Sequence, residues 1–266
     1  MAAATNDGWS PPQYDRFKAE RSAPFRDLID LVEPPAPGAR VADLGCGTGE
    51  LTATLIERWR PAELVGLDSS PSMLAEATSR AGGPLRFQQG DLAYPDIDGP
   101  FDVIVANAAL QWVPDHAAVL ARWLPLLAAG GQLAVQVPTN LDHASHVVAD
   151  EVAHEPRFVQ ALGGDVPVDT VRTVRRPEEY AEILDGLGFA RQHVRLQVYL
   201  HHLAVSEDVV EWVKGTSLTR FRNRLEPDVF DAFIDRYRAR LLEVLGDRSP
   251  YPYAFKRILF WGRVPA

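Results

Sequence analysis

Short apolar runs alternate with amphipathic segments through the first half of the chain. Residues 39–44 read as a buried strand, and the glycines after them lead into a helix over about 48–58. Further strands are predicted at 63–67, 85–88, 101–106 and 132–137. Ser70 and Pro71 mark a helix start, the serine as N-cap and the proline at the first helical position. Another helix is predicted over 115–127, with Ala129-Gly130-Gly131 as its stop. Alternation of this kind implies parallel strands joined by crossover helices, hence an α/β, doubly wound sheet.

Beyond Pro138 the pattern changes. Helices are predicted near 144–155 and 177–187, a long strand at 189–198, helical segments at 206–215, 218–225 and 227–245, and a closing strand at 254–264. If the last two strands pair as a long hairpin, the helical block between them lies over one edge of the sheet. The expected division is an N-terminal helical lead (1–38), an α/β domain (39–200 with 252–266) and a helical substrate cap (201–251). The Pro-rich stretch Glu33-Pro34-Pro35-Ala36-Pro37-Gly38 makes a stiff connector between lead and sheet.

Candidate chemistry concentrates in Gly45-Cys46-Gly47-Thr48-Gly49, placed between a strand and a helix, where glycines let a ligand approach backbone N–H groups. A dinucleotide fingerprint needs a third glycine at the sixth position, and Glu50 stands there. Asp43, two residues before the first glycine, would repel a pyrophosphate and suits a cationic ligand such as the aminoacyl end of S-adenosylmethionine. Asp68, about 20 residues past the loop at a strand end, can accept from both ribose hydroxyls or cap the next helix. Gly90-Asp91-Leu92 follows the third strand. Three such sites at the carboxyl ends of consecutive strands form one crevice, where open α/β sheets bind ligands.

Charge and composition narrow the partners. The 266 residues are 46% hydrophobic with a formal net charge of -9, an ordinary globular composition that argues against a broad nucleic-acid face. A single cysteine, Cys46, cannot form an internal disulfide; no apolar run is long enough to cross a bilayer; and residues 1–8 do not resemble a secretory leader. A cytoplasmic protein is therefore expected, with no membrane partner. No metal site emerges either: His143 and His146 lie near Asp142 and Asp150 without a specific ligand pattern, and His201 and His202 point to opposite faces of a strand.

The loop, Asp68 and Asp91 together resemble the class I methyltransferase family over about residues 39–137. The resemblance implies a mostly parallel, seven-stranded Rossmann-like sheet, S-adenosylmethionine as cofactor and S-adenosylhomocysteine as product. Asp43, Gly45, Cys46 and Gly47 would meet the methionine part, Asp68 and Ser69 the ribose, and Asp91 and Leu92 the adenine. Met73, flanking the adenine or simply buried in the core, and Asn107 complete the implied set.

Three further segments are similar to trans-aconitate 2-methyltransferases: 9–24 in the lead, Ala106-Asn107-Ala108-Ala109-Leu110-Gln111-Trp112-Val113-Pro114-Asp115-His116, and Gln132-Leu133-Ala134-Val135-Gln136-Val137-Pro138. The same loop and Gln-Trp pair occur in malonyl-carrier-protein methyltransferases, so that alternative stays open, as does a non-catalytic S-adenosylmethionine-binding protein. The fingerprint broken at Glu50 speaks against a dehydrogenase. The implied substrate is a small polycarboxylate and the implied product a monomethyl ester, formed by in-line attack of a carboxylate oxygen on the methyl group. An ionised carboxylate needs no general base, so no catalytic residue is expected beyond positioning groups. Substrate candidates are Tyr14, Phe17, Arg21, Trp112, Arg220 and Arg257, with Tyr180 as a possible wall. Lys214, Arg222, Arg224 and Lys256 add to the positive charge in the same segments, and arginine offers carboxylates a bidentate fork. The expected assembly is a monomer or weak homodimer.

Overall fold

A computed structural model describes residues 18–266, with side chains from Ser22 onward. Helix α1 (Lys18–Ile29) precedes the alternating half: β1 (Arg40–Leu44), α2 (Glu50–Trp59), β2 (Glu63–Asp68), α3 (Pro71–Ala77), β3 (Leu85–Gln89), β4 (Phe101–Asn107), α4 (His116–Trp123) and β5 (Leu127–Pro138). The second half holds α5 (Ala144–Ala153), α6 (Pro156–Ala161), α7 (Pro177–Gly186), β6 (Arg191–Leu203), α8 (Asp208–Lys214), α9 (Thr219–Arg222), α10 (Pro227–Leu245) and β7 (Tyr251–Arg263). The seven strands form one sheet in the order β3-β2-β1-β4-β5-β7-β6. Strands β1 to β5 pair in parallel, and β7 runs antiparallel between β5 and β6. The order reverses between β1 and β4, the switch point at which such sheets open a crevice.

Local signals explain most boundaries. Ser70 caps α3, its hydroxyl accepting from the Met73 N–H at 3.3 Å, with Pro71 next. Helix α4 stops at Trp123, short of the expected 127, because Pro125 supplies no N–H and turns Leu124–Leu126 into a 3₁₀ turn. Strand β5 starts at Leu127, earlier than expected. Its pairing with β4 slips from Phe101–Leu127 to Val103–Gln132, so the glycine pair lies in a bulge inside the strand and does not end a helix.

Three cores follow from the alternation of side chains along the strands. On one face Val41, Leu64, Val103, Val105, Ala134, Leu259 and Trp261 pack with Phe25, Leu28 and Ile29 of α1 and Leu55 and Trp59 of α2. On the other, Ile104, Val135, Ile258 and Phe260 pack with Leu120 and Trp123 of α4 and Tyr180 and Leu184 of α7. A third core joins α8, α9 and α10 to the far ends of β6 and β7, and it recruits Val148 to Leu162 of α5 and α6 as well. The hairpin of β6 and β7 is in register from Arg191–Arg263 to Leu203–Tyr251, so it runs through all three of these cores. Among the described residues, no helix is long and apolar enough to cross a membrane.

Candidate functional site

The loop after β1 is held from beneath and closed from the side. Gly45 and Cys46 both donate N–H to the Leu67 carbonyl, at 2.7 and 3.0 Å. Gly45 has φ +83°, and a Cβ there would lie 2.2 Å from the Ala109 Cβ, so this turn touches the segment after β4. Gly47 has φ +57° with nothing within 4 Å of the Cβ position, which leaves its backbone open to a ligand. The Gly47 N–H donates to Asp68 Oδ2 at 2.8 Å, while Asp68 Oδ1 accepts from the Ser70 N–H at 2.9 Å. Asp68 thus serves both the loop and the start of α3, and its carboxylate has further lone pairs to offer.

Strand register places the polar ends on one face. Asp43 pairs with Val105 and Gly66, Asn107 with Gln136, and Pro138 with Arg257. Side chains in register, and those two residues apart, share a face. Asp68, Asp43, Asn107, Gln136 and Arg257 therefore form a row across the sheet, at the carboxyl ends of the parallel strands and on the face covered by α1 and α2.

Asp43 is buried, and its Oδ2 accepts from the Thr52 hydroxyl at 2.6 Å. Burial pushes its carboxyl up to about 6, against the Thr52 hydrogen bond that lowers it and with the Asp68 charge adding to the rise. Asn107 Oδ1 is buried without a hydrogen-bond partner.

The other expected cofactor residues differ in exposure. Cys46 is half-buried, and burial and the charges of Asp43 and Asp68 push its thiol far up, so it is a packing thiol and no nucleophile. Ser69 and Asp91 are exposed, and Asp91 Oδ1 accepts from the Ala93 N–H at 2.8 Å. Leu92 reaches within 3.7 Å of the Gly45 Cβ position. Met73 is buried.

The expected substrate residues are more scattered. Tyr14 and Phe17 lie outside the described residues, as does the side chain of Arg21. Trp112 is exposed on the 3₁₀ turn Leu110–Trp112. Arg220 is nearly buried in the third core and faces Asp150 at 2.5 Å and Asp169. Asp169 also accepts from His146 at 3.0 Å, and Asp150 pairs with Arg172 at 2.6 Å. Although burial opposes it, the His146 hydrogen bond and the Arg220 charge hold the Asp169 carboxyl below the usual range. Arg220 and Arg257 therefore sit in different settings, the first against the carboxylates of Asp150 and Asp169 and the second against Gln136. Arg224 pairs with Asp165 at 3.0 Å and Lys256 with Asp142.

Tyr180 does not wall a pocket. It is fully buried, stacked on Phe260 at 4.6 Å and bonded through its hydroxyl to His116 Nδ1 at 2.6 Å. Burial takes His116 down to about 4, and His143 likewise to about 4, so both imidazoles are neutral at pH 7 and built into the frame.

Arg257 lies at the end of the row. It is 7% exposed, donates to Gln136 Oε1 at 3.0 Å and lies over the Phe255 ring at 4.9 Å. Gln136 itself received no role from the sequence, although a glutamine inside the apolar run Leu133-Ala134-Val135-Gln136-Val137 is the signal that marks it. Gln111 is also buried, donating to the Ala108 carbonyl at 2.7 Å. Ala108 is held at φ +53°, a conformation that persists where the surroundings over-determine it.

Comparison with known proteins fits this arrangement. A family described as a methyltransferase domain matches residues 41–131. The chain is 46% identical to a trans-aconitate 2-methyltransferase of Deinococcus radiodurans over 95% of this chain and 96% of that one. It is 43% identical to a trans-aconitate 2-methyltransferase of Streptomyces avermitilis over 88% of each. In fold it is similar to the YcgJ protein of Bacillus subtilis, with a TM-score of 0.61 at 16% identity over 92% of this chain and 99% of that one. The chain belongs to the trans-aconitate 2-methyltransferase family, enzymes of the class I fold that use S-adenosylmethionine as methyl donor.

Proposed function

We propose that the protein transfers a methyl group from S-adenosylmethionine to one carboxylate of trans-aconitate, giving a monomethyl ester. The observation that carries the substrate class is Arg257: a buried guanidinium at the end of the row that begins with the cofactor loop. In a protein of net charge -9, a buried cation there favours an anionic ligand. The names of the relatives, matched over nearly the whole chain, favour a tricarboxylate among the anions.

The residues present fit S-adenosylmethionine. Gly47 leaves its backbone open, Asp43 and Asp68 supply negative charge for a cationic ligand, and the orphaned Asn107 Oδ1 is an acceptor suited to an ammonium group. When bound, the cofactor supplies an electrophilic methyl group on a positively charged sulfur. The chain's own part is positioning. Asp43 and Asn107 hold the methionine end, Asp68 and Ser69 the ribose, Asp91 and Leu92 the adenine, and Arg257 the acid.

A substrate carboxylate is ionised at neutral pH and needs no base. The neutral His116 and His143, each bonded within the frame, suit that mechanism. Alignment and exclusion of water then supply the rate, and well-oriented reactions of this kind gain roughly 7–11 kcal/mol. The reading includes a cytoplasmic enzyme, a monomer or weak homodimer, that works without metal, because an ionised acceptor calls for no Lewis acid.

The test is incubation of purified protein and S-adenosylmethionine with di- and tricarboxylates and with malonyl-carrier protein, read by mass spectrometry. The expected product is trans-aconitate monomethyl ester, at a kcat/KM at least tenfold above the other acceptors. Background turnover of every acid, or preference for the malonyl carrier, overturns the reading.

A further inference from the structure

Strand β6 ends the sheet, and no strand among the described residues pairs with its outer edge. Backbone N–H and C=O groups along such an edge can pair with another chain, and proteins usually blunt it with short length, charge or proline. The opposite edge follows that rule: β3 is five residues long and carries Arg86, paired with Glu63 at 3.0 Å. Strand β6 breaks it. It runs for 13 residues, and the stretch Leu196-Gln197-Val198-Tyr199-Leu200-His201-His202-Leu203 contains no Asp, Glu, Lys, Arg, Pro or Gly.

The two faces of β6 differ. Arg195 and Tyr199 turn toward α1, where Arg195 donates to the Asp27 carbonyl at 3.2 Å and Tyr199 to the Asp27 carboxylate at 2.7 Å. The alternate positions, in register with Phe260 and Ile258, face the side of α4 and α7. Val194 packs into the core there, but beyond it Leu196, Val198 and Leu200 are 50%, 55% and 55% exposed. Three aliphatic side chains at successive positions of one face make a continuous stripe, and stripes of this kind mark interaction surfaces. Arg257 stands in register with Gln197, on the other face, so the stripe is no part of the cofactor and substrate row.

The stripe also fits a copy of itself. An interface between two copies related by a twofold axis must be self-complementary. Opposite residues of an antiparallel pair share a face. Pairing β6 with a second β6 about Val198 therefore sets Leu196 against Leu200 of the partner subunit, Leu200 against the partner subunit's Leu196, and the two Val198 side chains against each other. This is the centre at which all three exposed side chains meet exposed side chains of the stripe. Arg195 then falls opposite His201 of the partner subunit, so no arginine faces an arginine.

We infer that two copies of this chain pair antiparallel through β6 about Val198, joining their sheets into one of 14 strands, a size open α/β sheets reach. The edge strand offers 13 residues, against roughly 20–30 a side in a stable interface, so the dimer is weak and forms with rising concentration. The pairing is independent of the methyl-transfer reading, since it uses the edge and face that the site leaves free.

Sedimentation velocity of the full chain from about 1 to 200 µM tests it. The wild-type mass is expected to climb from 29.4 kDa toward twice that value. Val198→Lys puts two ammonium groups face to face at the axis, and this variant is expected to stay at 29.4 kDa with wild-type melting temperature and activity. Cysteine variants read the register. In Val198→Cys the two Cβ atoms lie about 4.5–5.5 Å apart, and a disulfide-linked dimer is expected under mild oxidation. In Gln192→Cys, which falls opposite Ala204 of the partner subunit, the two thiols lie about 40 Å apart and no cross-link is expected.

Wild-type protein that stays at 29.4 kDa throughout overturns the inference. So does a Val198→Lys variant that dimerises as wild type does, because the contact then lies elsewhere. Cross-linking of Val198→Cys no faster than that of Gln192→Cys overturns the register and the pairing with it. If Val198→Lys melts well below wild type, the two cysteine variants decide.

Discussion

Asp43→Asn isolates the energetics of the cofactor loop. The carboxyl lies buried against Thr52, and its pKa is raised from 3.8 to about 6. A carboxyl raised in the folded state stabilises the fold only while it is protonated. Its contribution is complete below pH 3.8 and is lost as pH climbs through 6. The gap between the two values is about two pH units, and at 1.36 kcal/mol per unit the ionised side chain costs the fold about 3 kcal/mol at pH 7.5. At pH 4.5 the same linkage leaves a cost of about 1 kcal/mol.

Asparagine keeps the acceptor for Thr52 and never ionises. The variant is therefore expected to be more stable than wild type, by about 3 kcal/mol at pH 7.5 and about 1 kcal/mol at pH 4.5, in urea unfolding without ligand. The functional arm has the opposite sign. A cationic ligand favours the ionised carboxyl, so S-adenosylmethionine affinity of the wild type should strengthen from pH 5 to 7.5, while that of the variant stays flat and weaker. A stability gap that does not widen with pH, or a variant less stable at pH 7.5, refutes the assignment of a buried charge to Asp43.

Two further outcomes follow from the geometry. Gly45→Ala forces a Cβ to 2.2 Å from Ala109 at φ +83°, and the combined strain and overpacking should cost about 2–4 kcal/mol in urea unfolding; a loss below about 1 kcal/mol would show that the two loops do not close on each other. Arg220→Met leaves Asp150 and Asp169 without their shared cation, which should lower the melting temperature by on the order of 10 °C, whereas a raised KM for the acid at unchanged melting temperature would assign Arg220 to the substrate.

The alternating half was legible because its signals are local. Ser70 and Pro71 start α3 by their own chemistry, and the apolar runs of β1 and β4 have no polar partner to find. Asp43, Asp68 and the glycines were legible for the same reason, since spacing along the chain fixes their placement at strand ends. Legibility failed where a residue's meaning depends on a distant partner. The ion pairs of Arg220 were not legible, because nothing in its own segment announces Asp150 and Asp169, 70 and 51 positions away. Tyr180 looked like a pocket aromatic until His116, 64 residues earlier, took its hydroxyl. Gln136 gives no hint of its partner either, because only the register of β7 against β5 brings Arg257 beside it.

That register also works as a ruler. Strand β7 is a single unbroken run of 13 residues, and each step along it is about 3.3 Å. Arg257 stands opposite Pro138, so its distance from the cofactor loop is set by counted residues in a hydrogen-bonded sheet and not by the swing of a linker. Moving the cation by one residue turns it to the opposite face, and moving it by two shifts it by about 7 Å. With Arg257 holding the acid as proposed, acceptor length is gauged in coarse, discrete increments. A member of this fold that came to serve a longer or shorter acid could do so by relocating one arginine by two places on β7, with the cofactor half left untouched.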